Sequence, residues 1–220
     1  MSKQALCLVK SAVFPEGLPD RHDIVDVEDV DRLFFNVGEA KLVDREICET
    51  DESLLQLIPY VVLRDVDTRE IFVYTRGKEG QEGRLHGKCS IGLGGHIESL
   101  PKYSLYDNGL SGLIVSDTLR ELNEEVGLMS TYSLEASIYG ALDADDFALM
   151  THTGTEVDRV HLAVAFTVFV RKTELGQAEK GVILNGQWKS KEELLRLHEN
   201  KEIELENWSR MLLTQAGDIL

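Results

Sequence analysis

The sequence predicts an α/β protein in which one mixed β-sheet is sandwiched between helices. Three observations predict it. Runs of β-branched and aromatic residues of strand length recur at 58–63, 71–75 and 161–170. Apolar residues near helical spacing follow at Leu110, Leu113, Ile114, Leu122 and Val126. The two patterns interleave along the chain instead of segregating. At 220 residues the chain can bury one substantial core. We expect residues 1–50 to be an N-terminal extension packed on a main domain of residues 51–220.

Residues 1–50 are charge-rich, with turns marked by Phe14-Pro15 and Leu18-Pro19 and a short apolar patch at Leu33-Phe34-Phe35. The runs 58–63 and 71–75 are joined by Asp65-Val66-Asp67-Thr68, which predicts a hairpin. Residues 76–87 read as a glycine-rich polar loop, and 90–93 as a short strand entering Gly94-Gly95. An irregular loop is expected over 101–109, followed by a helix that Gly127 ends at its C′ position. Residues 134–142 and 161–170 read as further strands, separated by a long polar connection carrying Asp143, Asp145, Asp146, Glu156 and Asp158. Ser190-Lys191-Glu192-Glu193 is a capping box opening a helix through Leu197, and Asn207 and Gly217 bracket a last short helix.

With 23 basic and 39 acidic residues the net charge is −16, which argues against duplex nucleic acid or an anionic membrane as partner. Small phosphorylated substrates remain compatible, because a metal can supply the local positive charge. Lys3, Lys10 and Glu16 interrupt any apolar core of signal-peptide type at the start. The longest apolar run, 161–170, is half of a membrane span. Cys7, Cys48 and Cys89 are odd in number and unclustered, which suggests neither a disulfide framework nor a zinc site. A cytoplasmic enzyme is the expectation, with a homodimer left open as its oligomeric state.

The most informative stretch is Arg120-Glu121-Leu122-Asn123-Glu124-Glu125-Val126-Gly127-Leu128, preceded by Gly94-Gly95-His96-Ile97-Glu98. On a helix, Glu121, Glu124 and Glu125 fall at i, i+3 and i+4 and share one face. The like-charged pair Glu121/Glu125 destabilises such a helix by roughly 0.2–0.5 kcal/mol, which Arg120 offsets only in part. The arrangement makes sense if a divalent cation neutralises it, and ligands that are all oxygen suit Mg²⁺ or Mn²⁺.

Together the two segments, residues 94–128, resemble the signature of the Nudix hydrolases, G-x5-E-x7-R-E-U-x-E-E-x-G-U with U aliphatic. The second half matches at Arg120, Glu121, Leu122, Glu124, Glu125, Gly127 and Leu128, and Gly95-His96-Ile97-Glu98 is similar to the family's first turn. The join departs from it. Gly95 and Arg120 are 25 residues apart where the consensus has 14, an insertion of 11 that we assign to about 99–109. Counting forward or back, the loop glutamate falls on Pro101 or Gly112, and Glu98 and Asp107 are the nearest substitutes. The long insert and the GGHI turn resemble a branch of the family described as predicted phosphoesterases.

The resemblance implies an α/β/α sandwich and a hydrolase of phosphoanhydrides. It implies that Glu121, Glu124 and Glu125 coordinate metal with a backbone carbonyl of Gly94 or Gly95, and that Arg120 positions the glutamates. A general base would come from Glu121 or from Asp145, Asp146, Glu156 or Asp158. Arg76, Lys78, Arg84, His86 and Lys88 cluster before the turn and are candidates for substrate phosphates, with Arg76, Arg84 and Glu98 the named binding residues. His96 is assigned no catalysis. Cys89 is expected in a strand as a small apolar residue, His161 as a satisfied edge residue, and Trp188 as packing for the C-terminal helix with base stacking as the alternative. Two other accounts stand beside the hydrolase. One is a nucleotide-sensing module of the same fold. The other is an isomerase of isopentenyl diphosphate, which would need a cysteine at the glycine turn, whereas Cys89 lies five residues before Gly94.

Overall fold

The structure, a computed structural model, describes residues 3–15, 17, 24–25, 40–80, 83–98, 109–143, 146–151 and 156–215. The inserted loop with Asp107, the Leu33-Phe34-Phe35 patch, Asp145 and Gly217 lie outside these residues, as does the side chain of Asp143.

β4 (Leu54–Asp65) organises the sheet. It runs parallel to β9 (His161–Val170) from Gln56↔His161 to Asp65↔Val170. Outward from this pair the order is β10 (Ile183–Lys189), β5 (Ile71–Arg76), β4, β9, β8 (Phe147–Met150) and β2 (Ile24–Val25). The expected hairpin is present: β4 and β5 meet at Arg64↔Ile71 across a turn closed by Asp65, which accepts from the Thr68 amide (2.9 Å) and hydroxyl (2.8 Å). The N-terminal strand β1 (Gln4–Val9) pairs antiparallel with both β4 and β3 (Lys41–Asp44). Two short strands, β6 (Cys89–Ser90) and β7 (Gly92–Leu93), pair with β5 and β4.

Side chains alternate along β4, so its two faces feed two cores. Leu55, Leu57, Val61 and Leu63 pack with Leu110, Leu113, Ile114 and Leu122, while Tyr60 and Val62 pack with Leu194, Met211 and Leu212. Short helices α1 (Lys10–Val13) and α2 (Arg45–Cys48) flank β1 and β3. The long helix α3 (Gly109–Val126) covers the first face. It ends as expected at Gly127, whose φ is +64° and whose N–H donates to Asn123 O (3.0 Å), followed by Leu128 N to Leu122 O (3.1 Å). Helices α5 (Lys191–Glu199) and α6 (Asn207–Gln215) cover the second face. Ser190 Oγ caps α5 by accepting from Glu193 N (3.1 Å).

Two expectations are corrected. Residues 134–142 form no strand; they lie in helix α4 (Tyr132–Asp143), which buries Leu134, Ile138 and Leu142 at i, i+4 and i+8. The polar connection that follows is interrupted by β8, whose four residues are all buried between β9 and β2.

Candidate active site

The turn after β7 meets the last turns of α3. Gly94 has φ +147°, and a Cβ there would lie 1.9 Å from the Pro59 carbonyl oxygen. That conformation and that approach both require glycine. The Gly94 N–H donates to Glu125 Oε2 (3.0 Å), and a Cβ on Gly95 would sit 2.3 Å from Glu121 Oε1. The missing side chains thus let backbone touch both carboxylates.

Arg120 ties the acidic face together. Its guanidinium donates to Asp117 Oδ1 (2.6 Å), Glu121 Oε1 (2.5 Å), Glu124 Oε2 (2.7 Å) and the His96 carbonyl (3.4 Å). The three glutamates are not equivalent. Glu125 and Glu121 turn inward, at 7% and 13% exposure, whereas the Glu124 side chain is 55% exposed. Burial pushes Glu125 up to about 8, helped by the Glu121 charge and opposed by Arg76. Burial also raises Glu121, against the pull of Arg120, and lifts Asp117 to about 7, again against Arg120. Two buried carboxylates beside unobstructed backbone offer hard oxygen donors only, a set that fits a Mg²⁺-like cation.

This corner opens into a cleft of about 830 Å³. On its other wall Arg76 Nε donates to Glu206 Oε2 (2.7 Å). Burial disfavours the Arg76 charge, and Glu206 with Tyr74 and Tyr60 more than restores it, so its pKa rises. Glu206, 3% exposed, also accepts from Tyr60 Oη (2.6 Å) and Ser90 Oγ (2.6 Å). Arg84 reaches Glu49 (3.2 Å) and Lys88 reaches Glu204 (3.3 Å). His96 and His161 face each other with Nε2 atoms 3.1 Å apart. Burial, with Arg45 beside it, pushes His96 to about 2 and keeps it neutral. At the far end, Asn207 Nδ2 donates to Asp158 Oδ2 (3.1 Å), and the Trp208 ring meets Tyr60 and His161 edge-on.

The cleft therefore brings together Gly94, Gly95, Glu98, Arg120, Glu121, Glu124, Glu125, Arg76, Arg84, Lys88, Glu156 and Asp158 from the residues singled out in the sequence. Asp146 is exposed outside it, and His86 binds the Gly80 carbonyl (2.9 Å). Cys89 is half-buried against Thr75 and does not line the cleft. Trp188 packs on Phe72, with ring centres 5.4 Å apart, and takes Lys172 over its face; the tryptophan in the cleft is Trp208. His161 is corrected in one respect: β9 lies between β4 and β8, so this residue is interior and 2% exposed. Sequence reasoning passed over Asp117, Glu206 and Trp208. For Asp117 a signal existed, since it precedes Arg120 by three residues on one helical face. For Glu206 and Trp208, 78 and 80 residues beyond the end of the signature, none did.

No family model matches the chain. Over 165 residues it is 26% identical to protein YmaB of Bacillus subtilis (strain 168), an alignment covering 75% of this chain and 72% of that protein. Among solved structures it aligns with Tm1382, described as a candidate Nudix hydrolase, at a TM-score of 0.66 and 25% identity over 99% of this chain and 100% of the other. That end-to-end likeness, over a turn and a helix whose residues already carry the family's spacing, means that the chain belongs to the Nudix hydrolase superfamily, enzymes that act on pyrophosphate bonds in phosphorus compounds.

Proposed function

We propose that this protein hydrolyses the phosphoanhydride bond of a small nucleoside-diphosphate-linked or related organic diphosphate, with Mg²⁺ or Mn²⁺ as cofactor. One observation carries the reading: Glu121 and Glu125 are inward-facing carboxylates held against the Gly94-Gly95 backbone, Glu125 by the Gly94 amide and Glu121 by Arg120. A divalent cation bound there supplies charge to phosphate oxygens and activates water. Glu121, Glu125 and the Gly95 carbonyl would hold it, with the exposed Glu124 at the rim. Arg120 limits the mutual repulsion of Glu121 and Glu124, and Asp117 holds Arg120 in place.

Arg76 and Arg84 on the opposite wall meet the remaining phosphate oxygens in this reading, and Glu98 borders the same space. Arg76 is held in place by Glu206, so its charge is preorganised for an anionic substrate. Glu156 and Asp158 are the loop acids that border the cleft, and with Glu121 they are our choices for the general base. Trp208 offers a ring for the organic moiety. Three free cysteines suit the reducing cytoplasm, where we place the protein.

The test is release of phosphate and pyrophosphate from a panel of nucleoside and sugar diphosphates with Mg²⁺, with Mn²⁺ and with chelator. Metal-dependent release from one substrate class, abolished in Glu125→Gln, is expected. No turnover across the panel, with a nucleotide still raising the melting temperature, would replace the hydrolase with a sensor.

A further inference from the structure

We propose a second cation site, formed by Glu49, His96 and His161, that takes a divalent first-row transition metal. Three segments remote in sequence converge on it: the end of α2, the residue after the glycine turn, and the start of β9. One ligand atom from each residue lies within 4.8 Å of the other two. The site shares a wall with the cleft but none of the carboxylates proposed for hydrolysis, so it stands whether or not that activity does.

The separation of the two imidazoles suits a shared ion as well as a hydrogen bond between them. Two nitrogens each about 2.1 Å from one ion lie roughly 3.0 Å apart at a right angle and roughly 3.4 Å apart at a tetrahedral angle. The His96 and His161 Nε2 atoms are 3.1 Å apart, between these limits. His161 is also held as metal-bound histidines are: its Nδ1–H donates to the Val157 carbonyl (2.6 Å), which leaves the Nε2 lone pair facing His96 and Glu49. Glu49 is oriented from behind. Its Oε1 accepts from Arg45 (3.3 Å) and Gln56 (3.5 Å), and its Oε2 from Arg84 (3.2 Å). A hydrogen bond between the rings accounts for the 3.1 Å separation. It gives no reason for a carboxylate braced by three donors beside one buried and one half-buried ring.

The donor set selects the ion. Two imidazoles and one carboxylate suit Zn²⁺, Fe²⁺, Co²⁺ or Mn²⁺, whereas Mg²⁺ prefers oxygen and water. Three protein ligands leave positions open towards the cleft, which His96 and His161 both line. Arg45 and Arg84 would oppose binding by charge repulsion while bracing the carboxylate that favours it. The site is therefore expected to be weaker than a closed structural zinc centre.

The experiment is titration of chelator-treated full chain with Co²⁺, read by visible absorption, because nitrogen-ligated Co²⁺ of low coordination number absorbs far more strongly than octahedral Co²⁺ with oxygen ligands only. One equivalent of the intense spectrum is expected in wild type and in Glu121→Gln/Glu125→Gln, with displacement by Zn²⁺. It should vanish in His161→Gln and require at least about tenfold more Co²⁺ in Glu49→Gln. Should the buried His161→Gln fail to fold by circular dichroism, Glu49→Gln and His96→Gln decide. Absence of the spectrum in wild type, or its appearance at unchanged Co²⁺ concentration in folded Glu49→Gln and His96→Gln, overturns the site. Its loss in Glu121→Gln/Glu125→Gln alone also overturns it, and would assign the bound metal to the hydrolytic carboxylates instead.

Discussion

Replacing Glu206 with alanine removes the carboxylate to which Arg76, Tyr60 and Ser90 all donate, at 2.7, 2.6 and 2.6 Å. Its side chain is 3% exposed and that of Arg76 is 22% exposed, so water reaches the abandoned guanidinium only from the cleft side. Breaking a buried ion pair from one side costs about 3–5 kcal/mol, because the remaining charge stays desolvated without its partner. The hydroxyls lose less. Tyr60 Oη keeps Ser209 Oγ at 2.8 Å, and Ser90 Oγ keeps the Gly92 carbonyl at 3.0 Å. We therefore expect about 4 kcal/mol for Glu206→Ala, a fall in Tm of roughly 8–16 °C for a chain of this size. Urea unfolding of Glu206→Ala, Arg76→Met and the double variant checks the reasoning. The double variant should recover at least about 2 kcal/mol of the summed single losses, since it removes both charges together. A Glu206→Ala protein within 1 kcal/mol of wild type, or strict additivity in the cycle, would refute the account of Glu206 as the partner that makes a charged Arg76 tolerable in this wall.

Three further outcomes follow from the same geometry. Glu125→Gln keeps the volume of a 7% exposed side chain but removes a carboxylate facing the Gly94 amide; metal-dependent turnover should fall by about 100-fold or more with circular dichroism unchanged, and undiminished turnover would take Glu125 out of the site. Gly127→Ala places a Cβ 2.9 Å from Gln177 N and Gly176 Cα at a φ of +64°, so urea unfolding should show a loss of roughly 1–3 kcal/mol, and a neutral result would mean that the α3 terminus can rearrange. Burial holds Asp117 near 7, above its ordinary value of 3.8, so the folded state keeps that proton more tightly than the unfolded chain. The stability this contributes is complete below about pH 4 and is lost as pH rises towards 7; Asp117→Asn should flatten that part of the stability profile, and an unchanged slope would show that Arg120 already keeps Asp117 ionised.

Much of the scaffold was legible because it is built from local signals. The strand 161–170, the hairpin at Asp65–Thr68, the Ser190 cap and the Gly127 helix end each depend on residues within one short window. Residues 134–142 were misread for a related reason: a short apolar run with Ile138 and Tyr139 suits a strand by composition, while Leu134, Ile138 and Leu142 carry the helical period. β8 was hidden because its four residues follow Asp143 and Asp146, and only pairing with β9 and β2 makes them a strand. That Glu121, Glu124 and Glu125 share a face follows from helical spacing, and their reading as a metal site follows from the resemblance to the Nudix signature. The opposite wall was not legible: Arg76 and Glu206 are 130 residues apart, and Trp208 was indistinguishable from Trp188 until the sheet placed one on each side.

The broken first half of the signature poses a physical question that the structure answers. An insertion of 11 residues should disturb the site only if the insertion sets the relation between the turn and the helix. It does not. The turn is fixed by β7, which pairs with β4 at Val61↔Leu93 and Val62↔Gly92. The helix is fixed by Leu113, Ile114 and Leu122, packed on the same strand's Leu57, Val61 and Leu63. Both parts are thus referenced to β4, and the Gly94 amide bond to Glu125 closes the gap between them directly. The consensus glutamate falls on Pro101 or Gly112, yet Arg120 still has a buried carboxyl group to hold it in Asp117, one turn earlier on its own helix. A carboxyl group drawn from the helix moves with the glutamates it helps to place, so the length of the loop is free to vary. On this argument the departure from consensus leaves the geometry of Arg120, Glu121 and Glu125 intact.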